Sequence, residues 1–285
     1  MVIKADKAFL WLTAFVCTLL CFPVVVVSQA DKNNSETLEL PIIMYHQITE
    51  NPEKCGKYSV LLSEFESDLE YLRKNGYTTI LVSELYDFVC GDMNLPDKTV
   101  MLTFDDGFES VYKLCYPLLK KYGMKAVAAV IGVQCELYSD IDDHNINYSN
   151  MNWDAVYNLN QSGLVEIANH SYDLHHNEKG ERKGMTKLKN ETQEQYENVI
   201  RNDIGKMQLL LKQRAGVNAK TIAYPYGAYN QKTNEIMKSM GFICSFTCEE
   251  KINVITKNQN DLFGLGRFNR PSGVSSEEFF ADILK

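Results

Sequence analysis

The sequence predicts an α/β fold, a parallel sheet covered by helices, on three observations. Short apolar runs alternate with stretches of helical periodicity through most of the chain. Glycines punctuate the ends of both kinds of segment. Two of the apolar runs, 99–102 and 164–168, lead straight into carboxylates and histidines, as expected where strands deliver functional residues at their C-terminal ends.

The elements follow in order. Phe65, Leu69 and Leu72 recur at helical spacing over 65–75, with Gly76 as a stop. Residues 78–82 read as a strand, 99–104 as a buried strand and 111–122 as a helix. Small and branched residues make 125–133 a strand. A helix over 153–160 ends before Gly163, and 164–168 is again a strand. The polar run 177–191 reads as an exposed loop, and 192–214 as the longest helix. Strand 220–223, helix 230–240 and strand 243–247 complete the alternation, which shows no internal repeat.

Thr103-Phe104-Asp105-Asp106-Gly107 is the most informative stretch. It places two adjacent carboxylates at a strand end, where Gly107 frees the turn. Two anions held that close repel unless a positive partner lies beside them. Asp and Gly are also ordinary turn residues, so this stretch alone suits a solvated turn better. The second half comes after 164–168, in Asn169-His170-Ser171-Tyr172-Asp173-Leu174-His175-His176. His170 and His175 are five apart, a spacing for a loop rather than one helix face. Asp106, His170 and His175 form an open two-histidine, one-carboxylate set suited to Zn2+ or to Co2+, Ni2+ or Fe2+. His176 and His144 read as solvated loop histidines. Tyr224-Pro225-Tyr226-Gly227 suits either a strand end and turn or a sugar-stacking wall.

From about Leu40 onward the chain resembles the polysaccharide deacetylases of the NodB-homology class, carbohydrate esterase family 4. Residues 103–107 match that family's first motif, 170–175 resemble its second with one extra residue, and 224–227 its third. Pro41-Ile42-Ile43-Met44-Tyr45-His46 is similar to the start of the extracellular poly-β-1,6-N-acetylglucosamine N-deacetylases. The resemblance implies a distorted (β/α) barrel and a metal-dependent hydrolase removing N-acetyl groups from N-acetylglucosamine units of an extracellular or cell-wall polysaccharide. It implies Asp105 as general base, His46 as general acid, and Tyr224, Pro225, Tyr226, Gly227, Leu265 and Arg267 in the substrate groove. Two departures stand out. Leu265-Gly266-Arg267 lacks the family's C-terminal histidine, and Ala223 stands where the third motif often begins with arginine. Removal of O-acetyl groups from xylan or peptidoglycan sugars, and a non-catalytic carbohydrate-binding role, are the alternatives. The retained Asp105 argues against the second.

The N-terminus reads as an export signal or membrane anchor at 1–30, followed by a linker at 31–39 and one deacetylase domain at 40–285. Lys4 and Lys7 precede an apolar stretch over 8–27, long enough for membrane attachment, which implies an extracellular or cell-surface location. A net charge of −8 argues against nucleic acid as a partner and is compatible with a neutral amino-sugar polymer. An apolar content of 45% marks a globular chain. Cys55, Cys90, Cys115, Cys135, Cys244 and Cys248 allow disulfides in an oxidising compartment, and equally suit free thiols packed as small hydrophobes.

Overall fold

In the computed structural model, which describes residues 37–177 and 182–284, eight parallel strands follow one another around a single curved sheet. In chain order they are β1 (Ile42–Tyr45), β2 (Thr99–Phe104), β3 (Ala126–Val130), β4 (Val165–Asn169), β5 (Thr221–Ala223), β6 (Cys244–Phe246), β7 (Phe263–Leu265) and β8 (Phe268–Asn269). The sheet order is β7-β6-β5-β4-β3-β2-β1-β8. The last two strands, β7 and β8, are thus its two free edges. Only Gly266 and Arg267 separate them in sequence, so the barrel is open at a seam the chain crosses in two residues. Asn253 bridges this seam: its amide donates to the carbonyls of Leu40 (3.1 Å) and Gly266 (2.9 Å) and accepts from the Gly266 N–H (2.8 Å). The architecture is the expected distorted (β/α) barrel.

Helices cover the outside: α1 (Leu62–Lys74), α2 (Val82–Cys90), α3 (Tyr116–Tyr122), α4 (Gly132–Ile141), α5 (Trp153–Gln161), α6 (Gln193–Ala215), α7 (Gln231–Ser239) and α8 (Ser276–Ala281). Strand alternation sorts the core into two faces. Ile43, Tyr45, Leu102, Phe104, Ala126, Ala128, Val130, Val165 and Ile167 pack outward against helices. Ile42, Met101, Val127, Ala129, Ala168, Ala223, Phe246 and Leu265 pack inward. This parity decides which side chains reach the barrel interior.

Several expectations need adjustment. The strand expected over 78–82 is only Thr78–Thr79, and that over 125–133 stops at Val130, because helices begin at Val82 and Gly132. A short apolar run does not distinguish a strand from a buried helical turn. Here the Glu84 carboxylate accepts the Leu81 N–H (2.9 Å) and caps α2. Leu38–Leu40, whose first two residues were expected to end a linker, form a strand antiparallel to Asn253–Ile255. The six cysteines among the described residues are free thiols.

The export signal or anchor at 1–30, including the stretch over 8–27, lies outside the described residues. Among the described residues no helix is long and apolar enough to cross a membrane. The expected extracellular or cell-surface location is corrected on this point, since the described residues hold no such helix to support it.

A buried polar knot ties β1, α1 and the C-terminal segment together. Asp68 accepts hydrogen bonds from Tyr45 (2.8 Å), from Arg270 Nε and Nη2 (2.8 and 3.0 Å) and from Ser276 (2.6 Å). Burial and then the Asp68 carboxylate push the Tyr45 phenol well up, so it stays a donor. Removing one partner of a buried pair strands the other charge. Asp68→Ala is therefore expected to lower unfolding free energy by about 3–5 kcal/mol, read as a lower midpoint in urea.

Candidate active site

Alternation along the strands carries a set of polar residues to one end of the barrel. Thr103 and Asp105 continue the inward register of Met101, and His170 that of Ala168. Met44 and His46 extend the inward register of Ile42, and Arg267 that of Leu265. By the same count Asp106 points outward. It is turned back by a left-handed backbone conformation (φ 69°), with Gly107 beside it also at positive φ (71°). A side chain at Gly107 would meet Val130 of β3, with Cβ 3.0 Å from its Cγ1. Ser171 (φ 73°) and Tyr226 (φ 58°) share this uncommon conformation. Left-handed residues without a glycine's freedom thus cluster around the strand ends, where such strain is found at functional sites.

Asp106, His170 and His175 come together, with one ligand atom from each lying within 4.8 Å of the others. Nε2 of His170 and of His175 approach Asp106 Oδ1 at 3.4 and 3.2 Å. That oxygen is buried and has no hydrogen-bond partner. His170 Nδ1 lies 2.8 Å from the Ala223 carbonyl, which can only accept, so Nδ1 carries the hydrogen and Nε2 turns its lone pair to Asp106. Two imidazoles converging on an unpartnered carboxylate oxygen require positive charge between them, and this donor set fits a divalent metal. The titration directions reflect the mutual compensation of these charges. Burial would lower His170, but the Asp105 and Asp106 carboxylates raise it. Burial would raise Asp106, but the two imidazoles hold it well below the usual carboxylate range.

The loop after β4 that carries His175 is anchored from outside. Ser171 N–H donates to Asn169 (2.7 Å), and the N–H groups of Tyr172 and Asp173 donate to the two oxygens of Asp203 on α6 (both 2.8 Å). Tyr226 stands against His175, with hydroxyl and Nδ1 3.2 Å apart. His176 is exposed and pairs with Asp173 (3.2 Å). His144 is not merely solvated: its Nδ1 lies 2.8 Å from the buried Glu109 carboxylate.

Asp105 sits beside this cluster but is held by a different residue. Arg267, wholly buried at the seam between β7 and β8, donates from Nη1 and Nη2 to its two oxygens, each at 2.7 Å. Arg267 Nε donates to the Thr247 carbonyl (2.9 Å), which fixes the guanidinium plane. Burial would raise Asp105, but the Arg267 charge, with His170, keeps it below the ordinary carboxylate value.

A cleft of about 720 Å³ opens over these groups, lined by His46, Asp105, Asp106, His170, His175 and Tyr226, and flanked by Tyr58, Lys57, Lys183, Cys248 and Asn269. Of the residues expected in the groove, only Tyr226, 38% exposed, faces it. Tyr224 lies on the outward face of its strand, donates to Asn234 (2.6 Å) and stacks on Tyr229. Pro225 is buried, and Gly227 packs against Cys248. Leu265 is in the core, and Arg267 faces Asp105 rather than open cleft. The wall of two tyrosines is corrected to one, because alternation turns the first away. Nothing local in the sequence marks Arg267 as the partner of Asp105, 162 positions earlier. Asp203 was equally silent, one acid among several on a long helix.

The match to known proteins follows this geometry. Residues 92–244 match the family model described as polysaccharide deacetylase. The chain is 30% identical over 234 residues to the poly-β-1,6-N-acetyl-D-glucosamine N-deacetylase of Staphylococcus aureus strain MSSA476, covering 82% of this chain and 73% of that protein. It is 27% identical over 259 residues to the protein of the same name from Escherichia coli K12, covering 85% of this chain but only 38% of the longer relative. The solved structure of IcaB from Ammonifex degensii superposes with a TM-score of 0.67 at 28% identity, over 81% of this chain and 91% of that one. A family match across more than half the sequence, on a barrel that gathers the matched motifs at one end, shows that the chain belongs to the polysaccharide deacetylase family.

Proposed function

We propose that this protein hydrolyses N-acetyl groups on N-acetylglucosamine units of a polysaccharide, with poly-β-1,6-N-acetylglucosamine as the substrate its relatives' names suggest. The observation that carries this reading is the pairing of a metal-competent cluster, Asp106, His170 and His175, with a separate ionised carboxylate, Asp105, locked by Arg267.

Asp106, His170 and His175 would hold a divalent ion, with Zn2+ the best match to two imidazoles and one carboxylate. When bound, such an ion polarises an amide carbonyl and makes water more acidic near neutral pH. The remaining work falls to the chain's own residues. Arg267 holds both oxygens of Asp105 and keeps it ionised, so it is available to take a proton from the attacking water. The backbone N–H at Tyr226 would face the oxygen that gains charge, and its ring would bound the sugar. His46 lines the same cleft and would give a proton to the departing amine. Burial lowers its pKa, while the nearby Asp105 and Asp106 carboxylates oppose that shift.

Acetate release from β-1,6-linked N-acetylglucosamine oligomers, set beside oligomers of other linkage and acetylated xylan, tests the reading directly. Release from the β-1,6 oligomers in preference to xylan is expected, and preference for xylan would replace the amide reading with an ester one. Asp106→Ala and His170→Ala are each expected to abolish high-affinity metal binding, read by calorimetry on the metal-stripped protein. Asp105→Asn should retain metal and lose turnover by about 10²–10⁴-fold. Near-normal activity in that variant would overturn the base assignment. His46→Ala is expected to bind metal normally and to lose turnover by about 10²-fold or more, with unchanged turnover returning His46 to a packing role.

A further inference from the structure

Among the atoms on the cleft wall that are buried without a hydrogen-bond partner, besides Asp106 Oδ1 and Ser59 Oγ, are His46 Nδ1 and Asn269 Oδ1. Their positions are related by the sheet. Asn269 of β8 is in register with Met44 of β1, and His46 follows Met44 by two residues, on the same face. Met44, His46 and Asn269 all line the cleft. The loop at 57–58 brackets both side chains. Asn269 Nδ2 donates to the Lys57 carbonyl (2.8 Å), and the His46 ring packs 4.8 Å from the Tyr58 ring. Because a carbonyl can only accept, the bond to Lys57 sets which end of the amide is which and leaves the oxygen as the unsatisfied acceptor. The Asn269 backbone N–H is also occupied, by Glu250 (3.2 Å), so the residue is fixed at both ends.

An acceptor and a potential donor, both shielded from water and both unpaired, are each costly alone and complementary together. We propose that Asn269 is the positioning residue for His46: its Oδ1 takes the Nδ1–H of the imidazole once the His46 ring turns toward it, and this presents Nε2 to the cleft. Oriented this way, Nε2 faces the substrate's leaving nitrogen, and the amide oxygen favours the imidazolium that must form before the proton is given up. The inference rests on the proposed role of His46, but its structural part stands without it.

The test combines spectroscopy with kinetics. In protein labelled with 15N at histidine and loaded with zinc, the neutral form of His46 is expected as the Nδ1–H tautomer, and Asn269→Leu should convert it to a mixture. An Nε2–H tautomer in the wild type would overturn the proposal, whether or not acetate is ever released, which separates this inference from the reading of the whole site. On β-1,6-linked N-acetylglucosamine oligomers, Asn269→Leu should lower kcat about 10–100-fold with KM within about twofold and zinc content unchanged. Asn269→Asp, which keeps an acceptor, should recover most of that loss. In a His46→Ala background, Asn269→Leu should have no further effect. Independent, multiplicative losses would show that Asn269 acts elsewhere.

Discussion

The ion pair between Arg267 and Asp105 is the interaction on which the rest of the site depends. A carboxylate as buried as Asp105 would ordinarily take up a proton, because leaving water disfavours its charged form. Arg267 removes that tendency with two short hydrogen bonds in a planar fork. The arginine is itself fully buried, so the pair is one unit whose two desolvation costs are offset only in this geometry. Its location at the seam between β7 and β8 couples chemistry to architecture. The barrel remains open there, and the guanidinium occupies the inward position where the two edge strands meet.

The two neighbouring aspartates illustrate how one strand end supports two environments. Adjacent side chains on a strand point to opposite faces, so Asp105 and Asp106 would part company if the strand simply continued. The left-handed turn at Asp106 and Gly107 returns the second carboxylate to the interior. Asp105 then meets Arg267, while Asp106 meets His170 and His175. The same device recurs at Ser171, which starts the loop that carries His175 back over the cluster. Backbone strain here aims side chains that strand geometry alone would misdirect.

Local patterns made much of this legible. The parallel α/β alternation followed from apolar runs and glycine stops, and β2 and β4 were visible because a buried strand in a parallel sheet is apolar on both faces. Where the reading faltered, the cause was also local. At Val82 and Gly132 a helix starts within an apolar run, and periodicity over so few residues does not separate the two states. β7 and β8 are three and two residues long, too short to carry a period. Tyr224 and Tyr226 looked equivalent in sequence, yet strand parity sends one outward and a positive φ sends the other into the cleft.

The sequence by itself determined which polar residues gather at the strand ends, since Asp105, Asp106, His170 and His175 lie in compact motifs whose spacing is set within a few residues. What only the tertiary structure decided is which of them act together and what neutralises them. Closure of the sheet brings positions more than a hundred and sixty residues apart into contact, pairing Arg267 with Asp105, and Asp203 on α6 anchors the histidine loop from outside. The physical reason is range: a turn or a strand end is written in neighbouring residues, whereas compensation of a buried charge depends on whatever side chain the fold delivers through space.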